Sequence, residues 1–590
     1  MGHMLQGNPG YPESDDRFRS TEIPGDASVL RIAEESVSSV KEPDVIEPDA
    51  SVDIPAGIQH YSGIPAFGLL RHAADVIPDR TAVIYGNMTW TYQTLNHDAV
   101  RAAALLQHLG IKQGDRVGVL LPNVPEFIIA VNGIWRAGGI AVALSPLMVQ
   151  DEVTDIVRRT GCKVVITLDM LAQMLVDCDS ALTKTLYVSI REHLPSLKQL
   201  GYLWARHQRT GQWSLPSNAS HAWFWEELKG LRREWKPVKI NPATDPAYIL
   251  PTGGTTGTPK SVTLSHQNMV ANAWQQFEWT DRSFANETMI AVLPFFHSYG
   301  VSAIVLGGAA MGATLVLHHR FNARQVIHLI ETHRPTVLHA VPAMLVALND
   351  RLSEYPADLS SIRWVISGGA PLDATVGETF SKHSGALVVE GFGLSEASPV
   401  THVGNLFAEP KYGTIGLPLP ETECRIVDQD DGVSDVGDEQ VGELIVRGPQ
   451  VMLGYWNDPE ATATTIRDGW LYTGDLAVRH LDGLYSIVGR KKDLIITSGF
   501  NVYPSEVEAV LRNAPGVLDA AVVGFADLQR GEVVKAFVRM QDKADWDEDA
   551  LRAHCRSHLS KHKQPRIYEQ CIDDLPRNFL GKVVRRKLRE

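Results

Sequence analysis

One short stretch of the chain has the residue types of a phosphate-binding loop. Residues 252–260 read TGGTTGTPK and directly follow an apolar run at 247–250. Glycines let the backbone turn its N–H groups inward, threonine hydroxyls add donors, and a lysine adds positive charge, so such a loop suits an anion. A flexible surface turn is the alternative for this loop taken alone, because short motifs match by chance. The residues expected to hold phosphate are Thr252, Gly253, Gly254, Thr255, Thr256, Gly257 and Lys260.

Four further motifs follow the loop in order. They are EGFGLSE at 390–396, YTGD at 472–475, GRKKD at 489–493 and GKVVRR at 581–586. The ordered set resembles the adenylate-forming superfamily, which includes acyl-CoA synthetases, peptide-synthetase adenylation domains and luciferases. The resemblance runs from about Ile64 to the C-terminus, and five motifs in the right order make it specific. The loop and the segment 498–508 are most similar to bacterial long-chain fatty acyl-CoA synthetases.

The resemblance implies a two-step reaction. A carboxylate attacks the α-phosphate of ATP, pyrophosphate leaves, and a thiol then displaces AMP from the acyl-adenylate. The loop at 252–260 would hold the β and γ phosphates, and Glu396 would hold Mg²⁺, a hard cation that prefers oxygen ligands. The implied cofactors and substrates are therefore ATP, Mg²⁺, coenzyme A and a small carboxylic acid.

The resemblance also assigns a nucleotide site. Adenine would lie between Gly369-Ala370-Pro371 and the ring of Phe392, within a turn at 391–393, because a flat base stacks on an aromatic ring. Ser395 stands where the family usually has threonine, and either hydroxyl can contact phosphate. Asp475 would accept both ribose hydroxyls, and Arg490 would reach ribose or phosphate. Gly368 would also lie beside the adenine, and the cofactor-binding residues expected in these two segments are Gly369, Ala370, Pro371, Gly391, Phe392 and Gly393.

Residues near the end of the chain are expected to serve the two half-reactions in turn. Lys582 would bridge the carboxylate and the α-phosphate, stabilising the charge that develops in the transition state. Lys492 matches the hinge of the family, about which a C-terminal domain rotates. Rotation would bring Ser498, Gly499 and Phe500 in to line the tunnel for pantetheine. His297 either polarises the carboxylate beside the acyl pocket or is a structural histidine.

Length and pattern predict an α/β fold of more than one domain. A chain of 590 residues is too long for a single core. Alternating helices and buried strands from residue 63 onward predict parallel sheets with helices on their faces. We therefore expect a large N-terminal domain of parallel βα sheets with a small β-barrel-like subdomain, then a small α+β domain across a hinge. The expected boundaries are 1–57 (tag remnant and acidic disordered tail), 58–490 (adenylation domain) and 491–590 (mobile C-terminal domain).

Composition narrows the compartment and the partners. Five scattered cysteines without C-x-x-C pairing favour a reducing compartment over disulfides or a zinc site. A net charge of −14 gives no support for nucleic-acid binding. The sequence contains no apolar run of about 20 residues that would span a membrane. We expect a cytoplasmic enzyme with at most peripheral membrane contact, and a homodimer stays open.

The acid substrate is expected to be a long-chain fatty acid. Three segments resemble those of long-chain fatty acyl-CoA synthetases: the loop at 252–260, the segment 498–508 and a Trp-rich insertion at 190–240. The insertion is otherwise a surface excursion that packs its own aromatic rings. Trp274 or Trp279 would gate an acyl tunnel, or both belong to the core. Because the chain stops eight residues after Lys582, coenzyme A is favoured over an attached carrier. The alternatives are an aryl or medium-chain acyl-CoA ligase, an enzyme that loads a separate carrier protein, or a catalytically silent binding protein.

Overall fold

A computed structural model describes residues 57, 59–178, 181–194, 196–252, 260–497, 500–527, 530–542, 544–577 and 583–589. Several sequence predictions therefore lie outside the described residues. These are the tail at 1–56, the loop positions Gly253, Gly254, Thr255, Thr256 and Gly257, the tunnel residues Ser498 and Gly499, and the lysine Lys582.

The helices and strands alternate along most of the chain. The α-helices are α1 Phe67–Val76, α2 Tyr92–His108, α3 Pro125–Arg136, α4 Gln150–Thr160, α5 Ser196–Thr210, α6 Phe224–Gly230, α7 His266–Trp279, α8 Gly307–Ala310, α9 Ala323–His333, α10 Pro342–Glu354, α11 Ala374–Ser384, α12 Pro459–Thr465, α13 Pro504–Arg512 and α14 Glu548–His558. The strands of the first half are β1 Thr81–Tyr85, β2 Met88–Thr91, β3 Arg116–Leu120, β4 Ile140–Ala143, β5 Cys162–Leu168, β6 Lys184–Val188, β7 His221–Trp223, β8 Pro246–Pro251, β9 Ser261–Ser265, β10 Thr288–Ala291, β11 Thr314–Leu317, β12 Val337–Ala340 and β13 Trp364–Ser367. The later strands are β14 Leu387–Gly393, β15 Val400–Val403, β16 Leu417–Pro418, β17 Glu423–Val427, β18 Gly442–Arg447, β19 Gly454–Tyr455, β20 Ile466–Arg467, β21 Trp470–Arg479, β22 Tyr485–Arg490, β23 Ile495–Thr497, β24 Phe500–Val502, β25 Val517–Asp527, β26 Gly531–Met540 and β27 Ile567–Cys571.

Two large sheets form the body of the N-terminal part. One has the order β16-β15-β14-β13-β12-β10-β11-β1-β2 and is parallel from β14 to β1. The other has the order β19-β9-β8-β4-β3-β5-β6-β7 and is parallel from β8 to β7. Val164, Val165 and Ile166 of β5 are fully buried, as a strand covered on both faces requires. One hydrophobic core joins both sheets and extends from Tyr61 to Tyr485.

Two smaller sheets complete the fold. The β subdomain is antiparallel, with the order β17-β18-β21-β20 and with β22 also on β21. The C-terminal sheet has the order β24-β23-β26-β25, with β27 parallel to β26. A separate hydrophobic core packs α13 and α14 on this last sheet. The predicted α/β fold with a small α+β C-terminal domain is confirmed, whereas the boundary at residues 490 and 491 stays a prediction.

The turn predicted at 391–393 is wrong. Strand β14 continues through Gly393, and Gly391 pairs with Val403 of the antiparallel strand β15. A side chain at Gly393 would collide with the carbonyl oxygen of Pro399, so glycine is required by close backbone approach rather than by a turn.

Candidate active site

A single cavity of about 680 Å³ collects most of the predicted site residues that the structure describes. It opens at the carboxyl ends of β13 and β14, where ligands of open parallel sheets bind. The predicted residues on its wall are Thr252, Lys260, His297, Gly369, Gly391, Phe392, Gly393, Ser395, Glu396, Arg490 and Lys492.

The loop after β13 forms one side of the cavity. Gly368 approaches the ring of Tyr299 so closely that an added Cβ would lie 3.0 Å from it. Gly369 has φ of +81°, a conformation that favours glycine. Phe392 is partly buried on the wall, with its ring 6.1 Å from that of His402. Ala370 and Pro371 belong to the same loop but are not among the wall residues.

An acid, an aromatic ring and a lysine meet at one end of the cavity. The hydroxyl of Tyr455 donates to Oε1 of Glu396 at 2.9 Å. The Nζ of Lys260 lies 4.7 Å from the centre of the Tyr455 ring, within cation–π range. The hydroxyls of Ser395 and Ser298 lie 3.1 Å apart. Sequence reasoning missed Tyr455, because a two-residue edge strand carries no periodic signal.

The residues present fit Mg²⁺ at Glu396. Mg²⁺ is usually held by one or two carboxylates together with substrate phosphates and water, rather than by a cage of protein ligands. Glu396 is a partly buried carboxylate on the cavity wall. Among the residues that the structure describes, no cluster of three His, Cys, Asp or Glu side chains could hold a metal alone.

Asp475 and Arg490 form an ion pair across two neighbouring strands. They occupy paired positions of β21 and β22, and Nε of Arg490 lies 2.6 Å from Oδ1 of Asp475. The Asp475 side chain is 4% exposed, whereas that of Arg490 is 31% exposed and reaches the cavity. The N–H of Asp475 donates to the hydroxyl of Thr473 at 3.0 Å. The pair presents a fixed acceptor and a fixed cation side by side.

The predicted hinge segment lies against the cavity. Residues 491–493 form a single 3-10 turn after β22. Lys491 binds the buried carboxylate of Glu443 at 2.9 Å, and Lys492 lines the cavity wall. Burial lowers the pKa of Lys492, and the neighbouring Arg490 lowers it further. The Glu443–Lys491 pair was not predicted from the sequence.

Two histidines flank Tyr299 on the wall of the cavity, His339 buried and His297 partly buried. Burial lowers the pKa of both His297 and His339 to about 4, so both are neutral at pH 7. The N–H of Tyr299 donates to Nδ1 of His297 at 3.2 Å, which assigns the proton of the neutral ring to Nε2. Tyr299 in turn donates its hydroxyl to the carbonyl of Ile366 at 2.9 Å. His297 can therefore donate a hydrogen bond but carries no positive charge.

An apolar branch continues the cavity along the large sheet. Its wall includes Met289, Val337 and Trp364, near the amino ends of β10, β12 and β13. Trp364 and Gly368 lie four residues apart along a strand, or about 13 Å. Of the two predicted gate residues, Trp279 lines the cavity and Trp274 does not. Other apolar or aromatic residues on the cavity wall include Trp279, Met311, Ile366, Val400, Val403 and Leu406.

Phe500 is not brought to the cavity. Its side chain is 55% exposed on β24, and its ring stacks on His562 at 4.8 Å. The predicted contact with pantetheine would require the rotation about the hinge that the sequence predicts.

Comparison with known proteins identifies the family. Residues 70–456 match the AMP-binding enzyme family, and residues 506–582 match the AMP-binding enzyme C-terminal domain. The chain belongs to this family. This match, together with the CoA-ligase relatives described next, shows an AMP-forming acyl-CoA ligase of the adenylate-forming superfamily, as the ordered motifs predicted.

Individual relatives cover nearly the whole chain. A long-chain-fatty-acid–CoA ligase of Bacillus subtilis (strain 168) is 37% identical over 547 residues, which is 91% of this chain and 97% of that protein. The 4-coumarate–CoA ligase 2 of Solanum tuberosum is 34% identical, over 85% of this chain and 88% of that protein. The crystal structure of ATP-bound MatB from Rhodopseudomonas palustris has a TM-score of 0.77 at 27% identity, covering 89% of this chain and 98% of that one. Across the described part of this chain, no helix is long and apolar enough to cross a membrane.

Proposed function

We propose that this enzyme converts a long-chain fatty acid, ATP and coenzyme A to acyl-CoA, AMP and pyrophosphate through an acyl-adenylate. The observation that carries the proposal is the continuity of one cavity from the Glu396 end to the apolar branch beside Trp364. A cavity that runs from charged side chains to a wall of apolar side chains suits an acid with a hydrocarbon chain. The similarity to the Bacillus subtilis long-chain ligase supports the same substrate class.

At the nucleotide end, each residue has a role that follows from its chemistry. The Asp475 carboxylate is a charged acceptor for the ribose hydroxyls, and Arg490 beside it holds the carboxylate in place and reaches phosphate. Lys260 supplies positive charge to the outgoing pyrophosphate. Glu396 would hold Mg²⁺, which neutralises phosphate charge when it is bound. Phe392 offers a ring face to adenine.

At the acyl end, the substrate carboxylate has to be held close to the α-phosphate. The neutral His297 suits that position, because Nε2–H donates a hydrogen bond without trapping the carboxylate in an ion pair. Lys582 would add the positive charge only while the C-terminal domain is engaged for adenylation. Rotation at Lys492 would then withdraw Lys582 and bring 498–500 to the thiol.

Two partial reactions test the separate roles proposed for Lys582 in adenylation and for Lys492 in the rotation that precedes thioester formation. Lys582→Ala is expected to lower adenylation, measured as pyrophosphate exchange into ATP, at least a hundredfold, while thioester formation from supplied acyl-adenylate stays within threefold. Lys492→Pro is expected to do the converse, because proline fixes φ in the hinge. Equal loss of both steps in either variant would contradict the rotating-domain assignment.

Separate experiments test whether the protein catalyses the reaction and which thiol accepts the acyl group. Magnesium-dependent release of pyrophosphate distinguishes an enzyme from a silent binding protein with this fold. One outcome is that the enzyme forms the acyl-adenylate, gives no product with coenzyme A and transfers the acyl group to a carrier protein. That outcome would make the carrier protein the acceptor in place of coenzyme A and would leave the first half-reaction unchanged.

A further inference from the structure

A polar side chain interrupts the apolar wall of the branch. His339 is the third residue of β12 and pairs with Ile366 of β13, while Val337 of β12 pairs with Trp364 of β13. Side chains two residues apart on a strand lie on the same face of a sheet. These four side chains therefore share one face, and all four line the cavity. Neither half-reaction, as proposed above, uses His339.

The two ring nitrogens of His339 have different surroundings. Nδ1 lies 3.2 Å from the hydroxyl oxygen of Tyr299, and that hydroxyl donates its one proton to the carbonyl of Ile366 at 2.9 Å. The hydrogen bonds therefore assign the proton of the neutral ring to Nδ1, which donates to Tyr299, and leave a lone pair on Nε2.

The second nitrogen, Nε2, is open to the cavity. The side chain is only 7% exposed and lines the cavity wall, and Nε2 is not among the sealed polar atoms of the structure. Within the described part of the chain, the hydrogen bonds of His339 involve Nδ1 and none involves Nε2. His339 therefore presents an unused hydrogen-bond acceptor to whatever fills the branch.

An acyl chain made only of methylenes leaves this acceptor without a partner. Filling the branch displaces the water that would otherwise reach Nε2, and a buried acceptor that loses its hydrogen bond opposes binding. A hydroxyl on the acyl chain would donate to Nε2 and replace that water, whereas a ketone offers a second acceptor. Because burial lowers the pKa of His339 to about 4, the ring has no positive charge at pH 7 to attract a second carboxylate.

Tyr299 indicates where along the acyl chain such a hydroxyl would lie. Its backbone N–H faces His297, beside which the proposed function places the substrate carboxylate, and its hydroxyl faces His339. The two histidines are therefore separated by about the length of one tyrosine residue. A hydroxyl on carbon 2 would stay beside the carboxylate, and one on the last carbon of a long chain would lie beyond His339.

We propose that the enzyme prefers long-chain acids with a hydroxyl on an interior carbon, and that Nε2 of His339 accepts the hydrogen bond from that hydroxyl. The preference rests on the proposed function, because it assigns the acyl chain to the apolar branch. The structural alternative is that His339 only holds Tyr299 through Nδ1. In that case the group at the position of Nε2 would not affect which acid is used.

Two substitutions separate the roles of the two nitrogens. The amide of His339→Asn reaches the position of Nδ1 and keeps a partner for Tyr299, but leaves nothing at the position of Nε2. The amide of His339→Gln reaches the position of Nε2 and keeps an acceptor oxygen there. We expect kcat/KM for 7-hydroxypalmitate to exceed that for palmitate at least tenfold in the unaltered enzyme, at least fivefold in His339→Gln and less than twofold in His339→Asn. Activity of the Asn variant on palmitate should stay within threefold, which checks its fold.

The unaltered enzyme alone provides a further test that needs no variant. We expect 2-hydroxypalmitate, 16-hydroxypalmitate and 7-oxopalmitate to show no advantage over palmitate. Equal kcat/KM for 7-hydroxypalmitate and palmitate would overturn the proposal, as would an equal advantage of the 7-oxo acid or a preference that His339→Asn retains.

Failure of the proposed function and failure of this preference give different results. Activity on octanoate but not on palmitate would contradict the long-chain assignment, and 7-hydroxyoctanoate against octanoate would then measure the preference at His339. Dissociation constants of the same acids, measured by calorimetry, give the ratio without turnover. A ratio below twofold in binding and in kcat/KM would contradict the role of His339 whichever chain length the enzyme uses.

Discussion

The hydroxyl of Tyr455 donates a 2.9 Å hydrogen bond to Oε1 of Glu396. The same ring lies under the ammonium of Lys260, whose Nζ is 4.7 Å from the ring centre. One aromatic residue therefore orients both the acid that would hold Mg²⁺ and the lysine of the phosphate loop. Tyr455 reaches this position because β19 pairs with β9, where Tyr455 lies opposite Val262.

Tyr455→Phe should weaken the first half-reaction while leaving the ring beneath Lys260. A hydrogen bond to a charged group contributes about 1.5–3 kcal/mol, so we expect kcat/KM for MgATP to fall roughly 10- to 100-fold in pyrophosphate exchange. Tyr472→Phe is the matched control, because Tyr472 also lines the cavity but donates to the carbonyl of Gly432 at 2.8 Å. Equal effects of the two substitutions would contradict an orienting role for Tyr455.

Asp475→Asn should impair ATP binding specifically. The amide offers one acceptor oxygen instead of a carboxylate and leaves Arg490 without its ionic partner, so we expect the KM for ATP to rise at least tenfold. Asp438→Asn breaks an exposed ion pair with Arg479 of the same strand and should change the KM less than twofold. If both variants bind ATP as the unaltered enzyme does, Asp475 is not the ribose acceptor.

Glu390 should make stability depend on pH near neutrality. Burial raises the pKa of Glu390 to about 7, although the N–H of Leu372 donates to its Oε2 at 3.2 Å and partly opposes the shift. The folded protein therefore binds this proton more tightly than the unfolded chain does. The resulting stabilisation is complete below the ordinary glutamate pKa and is lost as the pH rises through about 7.

Glu390→Gln stays uncharged at every pH and should remove that loss. Between pH 5 and 8, the free energy of unfolding should fall less in this variant than in the unaltered enzyme, by at most about 3 kcal/mol. Urea unfolding at each pH measures the difference. Glu409→Gln, at an exposed position, serves as the control and should follow the unaltered curve. Parallel curves for all three proteins would show that Glu390 is ionised in the fold.

Val337→Phe should shift the preference of the enzyme toward acids with shorter acyl chains. Val337 is the first residue of β12 and lies on the wall of the apolar branch, so a larger ring there would occupy space that we assign to the end of the acyl chain. We expect activity on palmitate to fall at least tenfold and activity on octanoate to stay within threefold, with the KM for ATP unchanged. An equal fall on both acids would mean that the branch does not hold the acyl chain.

The sequence predicted helices and strands well wherever a buried apolar pattern was bounded by turn residues or by proline. The sequence pattern predicts strands at Thr81–Tyr85 and Thr314–Leu317 and a helix at Pro504–Arg512, and the structure has these bounds. The strands are apolar runs between turn residues, and the helix begins with proline at its first position, where its missing N–H is no loss. The pairing of Tyr455 with Val262 was not predicted, because the local sequence pattern carries no information about contacts between distant segments.

The choice between Trp274 and Trp279 illustrates the same limit. Both lie on α7, five residues apart, and therefore point in different directions from one helix. Trp274 is 8% exposed and packs near His60 and Tyr61, whereas Trp279 lines the cavity and donates its Nε1–H to Gly404 at 3.0 Å. Helical periodicity separates the two faces but does not tell which of them borders a cavity.

The central claim is tested most directly by AMP formation with ATP, Mg²⁺ and coenzyme A across acids from acetate to palmitate, together with benzoate. The continuous cavity and its apolar branch predict a maximum of kcat/KM at twelve carbons or more. A maximum at acetate, at a medium-chain acid or at benzoate would contradict the long-chain assignment and leave the adenylating chemistry in place.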